Sequence, residues 1–273
     1  MIIHRFLQIP VRLCQFTIRN KFFSPFYVYL ALKSRCSGQI ILTKSKIQEI
    51  GKDLSLSPRA VQNNIKLLQA RNWIGHNPAT KYYFIRGFNI IMDIENLKGK
   101  KSICYSVLKD GNCKEQFRAF IAGVSIGYLA NVQKWKERCH KESEYYIGNS
   151  NHNSIGHLPS HYEISCEALK KIYGISISTA SVYKSLAHKY GYLEVQKNFK
   201  ESEFKLQTGG KQKAGPEGYQ IFLKENYPKH ANKLRIINGV VYEQLPDLIK
   251  VTSLEFTNRR YHTSSNNIKK NKM

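Results

Sequence analysis

Three groups of side chains in this sequence have the composition of chemical sites. Gly209-Gly210-Lys211 could cradle a phosphate, since glycine backbone approaches an anion closely and lysine supplies the counter-charge. The lysine is followed by Gln212 rather than Ser or Thr, and the glycines precede a strand instead of opening a helix. The phosphate-loop spacing is therefore absent, and nucleotide hydrolysis is not expected. Cys139, His140, His152, His157 and His161 could gather zinc, but no familiar ligand spacing links them and no metal is expected. Nuclease chemistry needs carboxylates to hold its metal ions. The chain has only four aspartates, Asp53, Asp93, Asp110 and Asp247, and no His-hydrophobic-His pair. Glu201-x-Glu203-x-Lys205 is explained by charged alternation along a strand. The chain is read as a non-enzyme, with no catalytic residue and no cofactor.

What remains is charge. Lys and Arg number 43 against 19 Asp and Glu, a formal net charge of +24. A compact chain with that excess repels itself unless a polyanion neutralises it. No acidic residue precedes Glu49, and residues 1–98 hold 15 basic and 4 acidic side chains, net +11. The 273 residues are 42% hydrophobic and 12% aromatic, enough for one large or two small packed domains. Six cysteines at irregular spacing, with no Cys-x-x-Cys pair and no secretory signal, read as reduced thiols in a cytoplasmic protein. The longest apolar stretch, Ala119 to Val132, is shorter than the roughly 20 residues a membrane-spanning helix needs, so no membrane partner is expected.

The elements can be read from caps and periodicity. Residues 1–19, containing Pro10, read as a strand or extended arm. Ser24-Pro25 reads as an N-cap with proline at the first helical position, opening a helix through Phe26, Tyr29, Leu30 and Lys33. Gln39–Thr43 reads as a strand, and Thr43 or Ser45 starts a helix with Ile47, Ile50 and Leu54 inward. Ser57-Pro58 repeats the cap-then-proline signal for a helix to about Asn72. Its buried stripe is Ala60, Val61, Ile65 and Leu68, with no polar interruption. Trp73-Ile74 and Lys81–Ile85 follow as two strands. A long helix from about Lys114 to Cys139 carries Ala122, Gly123, Ser125 and Gly127, small enough for close packing, before a polar loop from Lys141 to Ser160.

One internal echo organises the chain. Leu54-Ser-Leu-Ser57 with Val61 and Ile65 is matched by Ile175-Ser-Ile-Ser178 with Val182 and Leu186, at an offset of 121. Trp73-Ile74 matches Tyr192-Leu193 at an offset of 119, which makes the second copy of the helix two residues shorter. In each copy a helix ends, an apolar residue (Leu56, Ile177) wedges into the turn, and a serine caps the next helix.

At these residues the sequence resembles the winged helix-turn-helix family, over about 24–88 and again over 160–223. The resemblance implies a mainly α fold with small β wings (α+β): two winged helix-turn-helix domains joined by a helical middle section. Their expected bounds are 1–98, with its N-terminal arm, and 161–256, with 99–160 connecting them and 257–273 a basic disordered tail. It also implies a partner, double-stranded DNA, read by the third helix of each domain in the major groove. On the first, Pro58–Asn72, the outward side chains would be Arg59, Gln62, Asn63 and Lys66. Arg suits guanine, and Gln or Asn suits adenine. Lys81, Tyr82 and Tyr83 would lie on or near the wing. On the second, Thr179–Tyr190, they would be Thr179, Ser181, Lys184, Ser185, His188 and Lys189. Tyr192–Val195 and Tyr219–Leu223 would be the second wing's strands, with Lys211 and Lys213 in the basic loop between them, suited to phosphate contact. A transcriptional regulator of a phage or mobile element is the first expectation. A replication initiator on origin repeats and a non-enzymatic protein adaptor are the alternatives, with replication or transcription machinery as possible further partners. Neither the oligomeric state nor a role for 235–254 can be read.

Overall fold

The computed structural model describes residues 6–36, 38–106, 114–147, 158–203, 221–225, 227–228, 231, 233–237 and 240–258, the side chains of 143–147 excepted. In chain order the elements begin β1 (Phe6–Pro10), α1 (Val11–Arg19), α2 (Phe23–Arg35), β2 (Gln39–Ile41), α3 (Lys44–Asp53) and α4 (Pro58–Ala70). Next come β3 (Ile74–Asn77), β4 (Tyr82–Ile85), α5 (Phe88–Ile94), β5 (Lys101–Ser106) and α6 (Lys114–Ile147). Then follow β6 (Tyr162–Ile164), α7 (Cys166–Tyr173), α8 (Ile177–Lys189), β7 (Leu193–Gln196) and β8 (Phe199–Glu201). The last are β9 (Leu234–Ile237), β10 (Val240–Gln244), β11 (Asp247–Val251) and β12 (Phe256–Asn258). The chain is thus mixed helix and strand, and the sheets among the described residues are three-stranded and antiparallel. No described helix is long and apolar enough to cross a membrane. The chain divides into two compact units, Met1–Lys114 with Glu255–Met273, and Glu115–Leu254.

In the first unit, α2, β2, α3, α4 and the hairpin β3–β4 follow one another, and their sheet has the order β2-β4-β3. Local chemistry fixes the helix starts. Thr43 Oγ1 accepts from the Lys46 amide and Ser57 Oγ from the Ala60 amide, and Pro58 occupies a first-turn position where no amide is needed. The turn between α3 and α4 is tight: the Leu56 amide donates to Gly51 O at 2.7 Å. A Cβ on Gly51 would lie 2.6 Å from Leu56 O, which is backbone and cannot swing away. Gly51→Ala is therefore expected to destabilise this unit by about 1–3 kcal/mol, read as a lower urea midpoint. An unchanged midpoint would show that the turn yields.

Several expectations are corrected in this unit. Residues 11–19 are helix α1, not extended, and seven of them are buried. Pro10 ends β1 and stands as N-cap, where its fixed φ and missing amide cost little. Ser24 does not cap α2. Phe22 stands at that position without a side-chain cap, and Ser24 lies inside the helix, accepting from Asn64. Asn64 thereby breaks the all-apolar inner face expected of α4. The second sheet, β1-β5-β12, draws Phe256–Asn258 into this unit, so 257–258 are strand and not tail. Residues 259–273 lie outside the described ones.

The second unit has α6, β6, α7, α8 and β7 in the same succession, but the strand that completes its sheet is β11, giving the order β6-β11-β7. Helix α6 comes close to this sheet because Gly127 is small: a Cβ there would sit 3.2 Å from the side chains of Leu193 and Val251, and one on Gly123 would sit 2.7 Å from Tyr192 Cβ. It runs on to Ile147, through the start of the expected polar loop; 148–157 lie outside the described residues. Between β7 and β11 the chain builds another sheet, β8-β10-β9, over a small core of Leu223, Ala231, Leu234 and Val241. Residues 221–225 are helical, which corrects the strand expected at Tyr219–Leu223. The segment 235–254 supplies most of β9 and all of β10 and β11.

Candidate nucleic-acid interface

A helix can offer one face to a partner when the other is fixed. On α4 the inner side is held by Val61 and Leu68, both fully buried, by Ile65, and by Asn64, whose Nδ2 donates to Ser24 Oγ at 2.8 Å. Arg59, Gln62, Asn63 and Lys66 are consequently all exposed, and none forms a hydrogen bond or ion pair with the described residues. At about 100° per residue the four fall within an arc of about 100°. No acidic side chain lies in the first turn of α3 or α4, so the positive ends of both helix dipoles stay uncancelled.

The far end of α4 is equally fixed. Trp73, fully buried, meets the rings of Phe16, Phe22, Phe26 and Tyr29 at centroid distances between 5.3 and 5.9 Å. Its indole N–H donates to Glu95 Oε1 at 2.7 Å, while Arg71 donates to both Glu95 oxygens at 3.1 and 3.0 Å. The hairpin that follows places Lys81 at its turn, exposed with φ +56°, beside exposed Tyr82. Tyr83 is half-buried and stacks on His76 at 4.4 Å.

On α8 the expected face is largely wrong. Ser176, not Ser178, caps the helix, accepting from the Thr179 amide at 3.1 Å. The two helices then correspond at one offset of 119 throughout, and both have 13 residues. Ser57 matches Ser176, Leu56 matches the buried Ile175, and the left-handed Asn72 and Gly191 match. The Trp73 and Tyr192 amides close the helices onto Leu68 O and Ala187 O, each at 2.9 Å. Ile177 is not a wedge but a helix residue, 45% exposed, and Val182 is exposed where burial was expected.

Lys184 takes the place of Ile65 and is buried. Its Nζ lies 2.8 Å from Asp247 Oδ2 and also donates to Ile164 O, while Lys197 Nζ holds Asp247 Oδ1 at 2.9 Å. Burial pushes the Asp247 carboxyl up, but hydrogen bonds and charge from the two lysines outweigh it and leave it below its usual range. Thr179 Oγ1 joins the cap, 2.8 Å from Ser176 Oγ. His188 Nδ1 lies 3.1 Å from Leu193 O, and Lys189 is paired with Glu115 at 2.8 Å, which lowers that carboxyl. Of the expected residues only Ser181 and Ser185 face solvent without a partner among the described residues; Lys211 and Lys213 lie outside them. The positions matching Arg59, Gln62, Asn63 and Lys66 are Ser178, Ser181, Val182 and Ser185. Gly174, at φ +67° where the first unit has Ser55 at +52°, is the signal that would have set this register.

Charge separates the units as well. The first holds 24 basic and 6 acidic side chains, net +18, and the second 19 and 13, net +6. Asp53 is paired with Arg35 and Asp247 with two lysines, burial pushes the Cys14 thiol up, and no described group of three His, Cys, Asp or Glu could hold a metal. No family model, no curated protein and no solved structure matches this chain.

Proposed function

We propose that the chain binds double-stranded DNA sequence-specifically, each unit being a winged helix-turn-helix module with α4 and α8 as recognition helices, and that it acts as a transcriptional regulator. The observation that carries this reading is the outer face of α4. Arg59, Gln62, Asn63 and Lys66 stand exposed and unengaged on one side of a fixed helix, in a unit of net charge +18. Arg pairs bidentately with guanine, and Asn or Gln with adenine. The helix order with an antiparallel sheet of order β2-β4-β3, and again β6-β11-β7, supports the module assignment. Here the second wing is the region between β7 and β11, enlarged into its own small sheet.

The test is selection of bound fragments from random and genomic duplexes. Recovery of one motif supports the reading, and retention of none at modest ionic strength overturns it. A single site over a promoter fits regulation; clustered repeats in an A·T-rich region would make the protein a replication initiator instead. On the recovered site, Arg59→Ala and Asn63→Ala are each expected to lose about 1–3 kcal/mol of discrimination between cognate and mismatched duplex. Weakening that is equal on all sequences would make these residues phosphate contacts. Affinity should also fall steeply with salt, as neutralised phosphates release counterions.

A further inference from the structure

The outer face of α8 is of a different chemical kind from that of α4. Where α4 has Arg59, Gln62, Asn63 and Lys66, α8 has Ser178, Ser181, Val182 and Ser185, all exposed. Its two lysines are engaged, Lys184 with Asp247 inside the unit and Lys189 with Glu115. None of the four matching positions carries a cation for a guanine edge. Among the four, one is apolar: Val182, 53% exposed, flanked one turn before and one turn after by Ser178 and Ser185.

The floor of the major groove has one kind of apolar group, the C5-methyl of thymine. Serine side chains are short, so they let a helix approach that floor closely, and their hydroxyls can donate to or accept from either base of a pair. A protein partner fits the face less well, because the cores of protein interfaces are poor in serine and rich in aromatic residues, Met and Arg. Resting on the DNA reading above, we infer that Val182 reads thymine, packing its methyls on the C5-methyl while Ser178 and Ser185 accommodate the flanking edges. The two units then divide the readout: polar pattern at α4, methyl groups at α8.

The experiment uses the full chain and the duplex recovered by selection, with thymines replaced one at a time by deoxyuridine, which removes only the methyl. At one or two positions the wild-type affinity should fall about fourfold, the worth of one buried methyl-sized group. Val182→Ser should bind the thymine and uracil duplexes alike at those positions, with its melting temperature unchanged. Arg59→Ala should keep the wild-type response to uracil. The inference is overturned if no position responds in the wild type, or if Val182→Ser responds as the wild type does. It is also overturned if that variant binds DNA normally but loses self-association in sedimentation, which would make the face a contact between copies. Failure of the wild type on unmodified duplex is a separate result, and it removes the DNA reading itself together with this one.

Discussion

Asp247→Ala is expected to destabilise the second unit by about 3–5 kcal/mol, because it leaves the Lys184 ammonium buried with no counter-charge. Lys184→Met should cost far less. Methionine follows the same path into the core, and Asp247 keeps Lys197, whose side chain reaches it from the surface at 2.9 Å. Replacing both, as Lys184→Met with Asp247→Leu, should recover most of the loss, since a buried pair exchanged for apolar groups of like volume is often neutral or stabilising. Urea midpoints of the three variants would show the asymmetry; an Asp247→Ala protein within experimental error of wild type would mean that Lys184 escapes to solvent. The pair also has a pH signature. The Asp247 carboxyl is held below its ordinary value, so its contribution is complete above about pH 4 and is lost as pH falls through the lowered folded value. The stability difference between wild type and Asp247→Asn should therefore be constant near neutrality and shrink in acid.

The same ion pair explains why the two units were not equally legible. The register of α4 could be read because Ser57-Pro58 admits one cap, and its four outer residues followed from that. Before α8 stand Ser176 and Ser178, two candidate caps two residues apart, and choosing the wrong one rotates every later side chain by about 200°. The textual likeness of Leu-Ser-Leu-Ser to Ile-Ser-Ile-Ser favoured the wrong one. The backbone favours the other, since Gly174 takes the left-handed conformation that ends α7. A lysine is almost never buried without a partner, and the partner of Lys184 lies 63 residues away in sequence, beyond an inserted sheet. Nothing local to α8 announces it. Helix α1 was missed for another reason: its polar residues Arg12, Gln15 and Arg19 do recur at helical spacing, but over only nine residues directly after Pro10 that period competes with a loose alternation that reads as extended. Strand β11 was missed because it does not follow β7, and pairing between neighbours is the only kind that adjacency in sequence suggests.

Trp73 is where the first unit should prove most sensitive. It joins the end of α4 to the hairpin, and it touches four aromatic rings while donating to Glu95. Trp73→Ala is expected to cost about 3–5 kcal/mol through lost burial and the cavity left behind. Trp73→Phe separates the contributions, because it keeps a ring in the cluster and removes the indole N–H. Glu95 is then still bound by both contacts from Arg71, so the loss of one hydrogen bond should add only about 0.5–1.5 kcal/mol to the cost of the smaller ring. If Trp73 acts by fixing the helix rather than by touching a ligand, Trp73→Phe protein that is still folded should keep the wild-type preference among duplexes, and any fall in apparent affinity should track the unfolded fraction. A changed preference at full folding would mean that the indole sets the direction of the α4 face, and the fixed-helix argument for Arg59 and Asn63 would have to be replaced by one in which the helix moves.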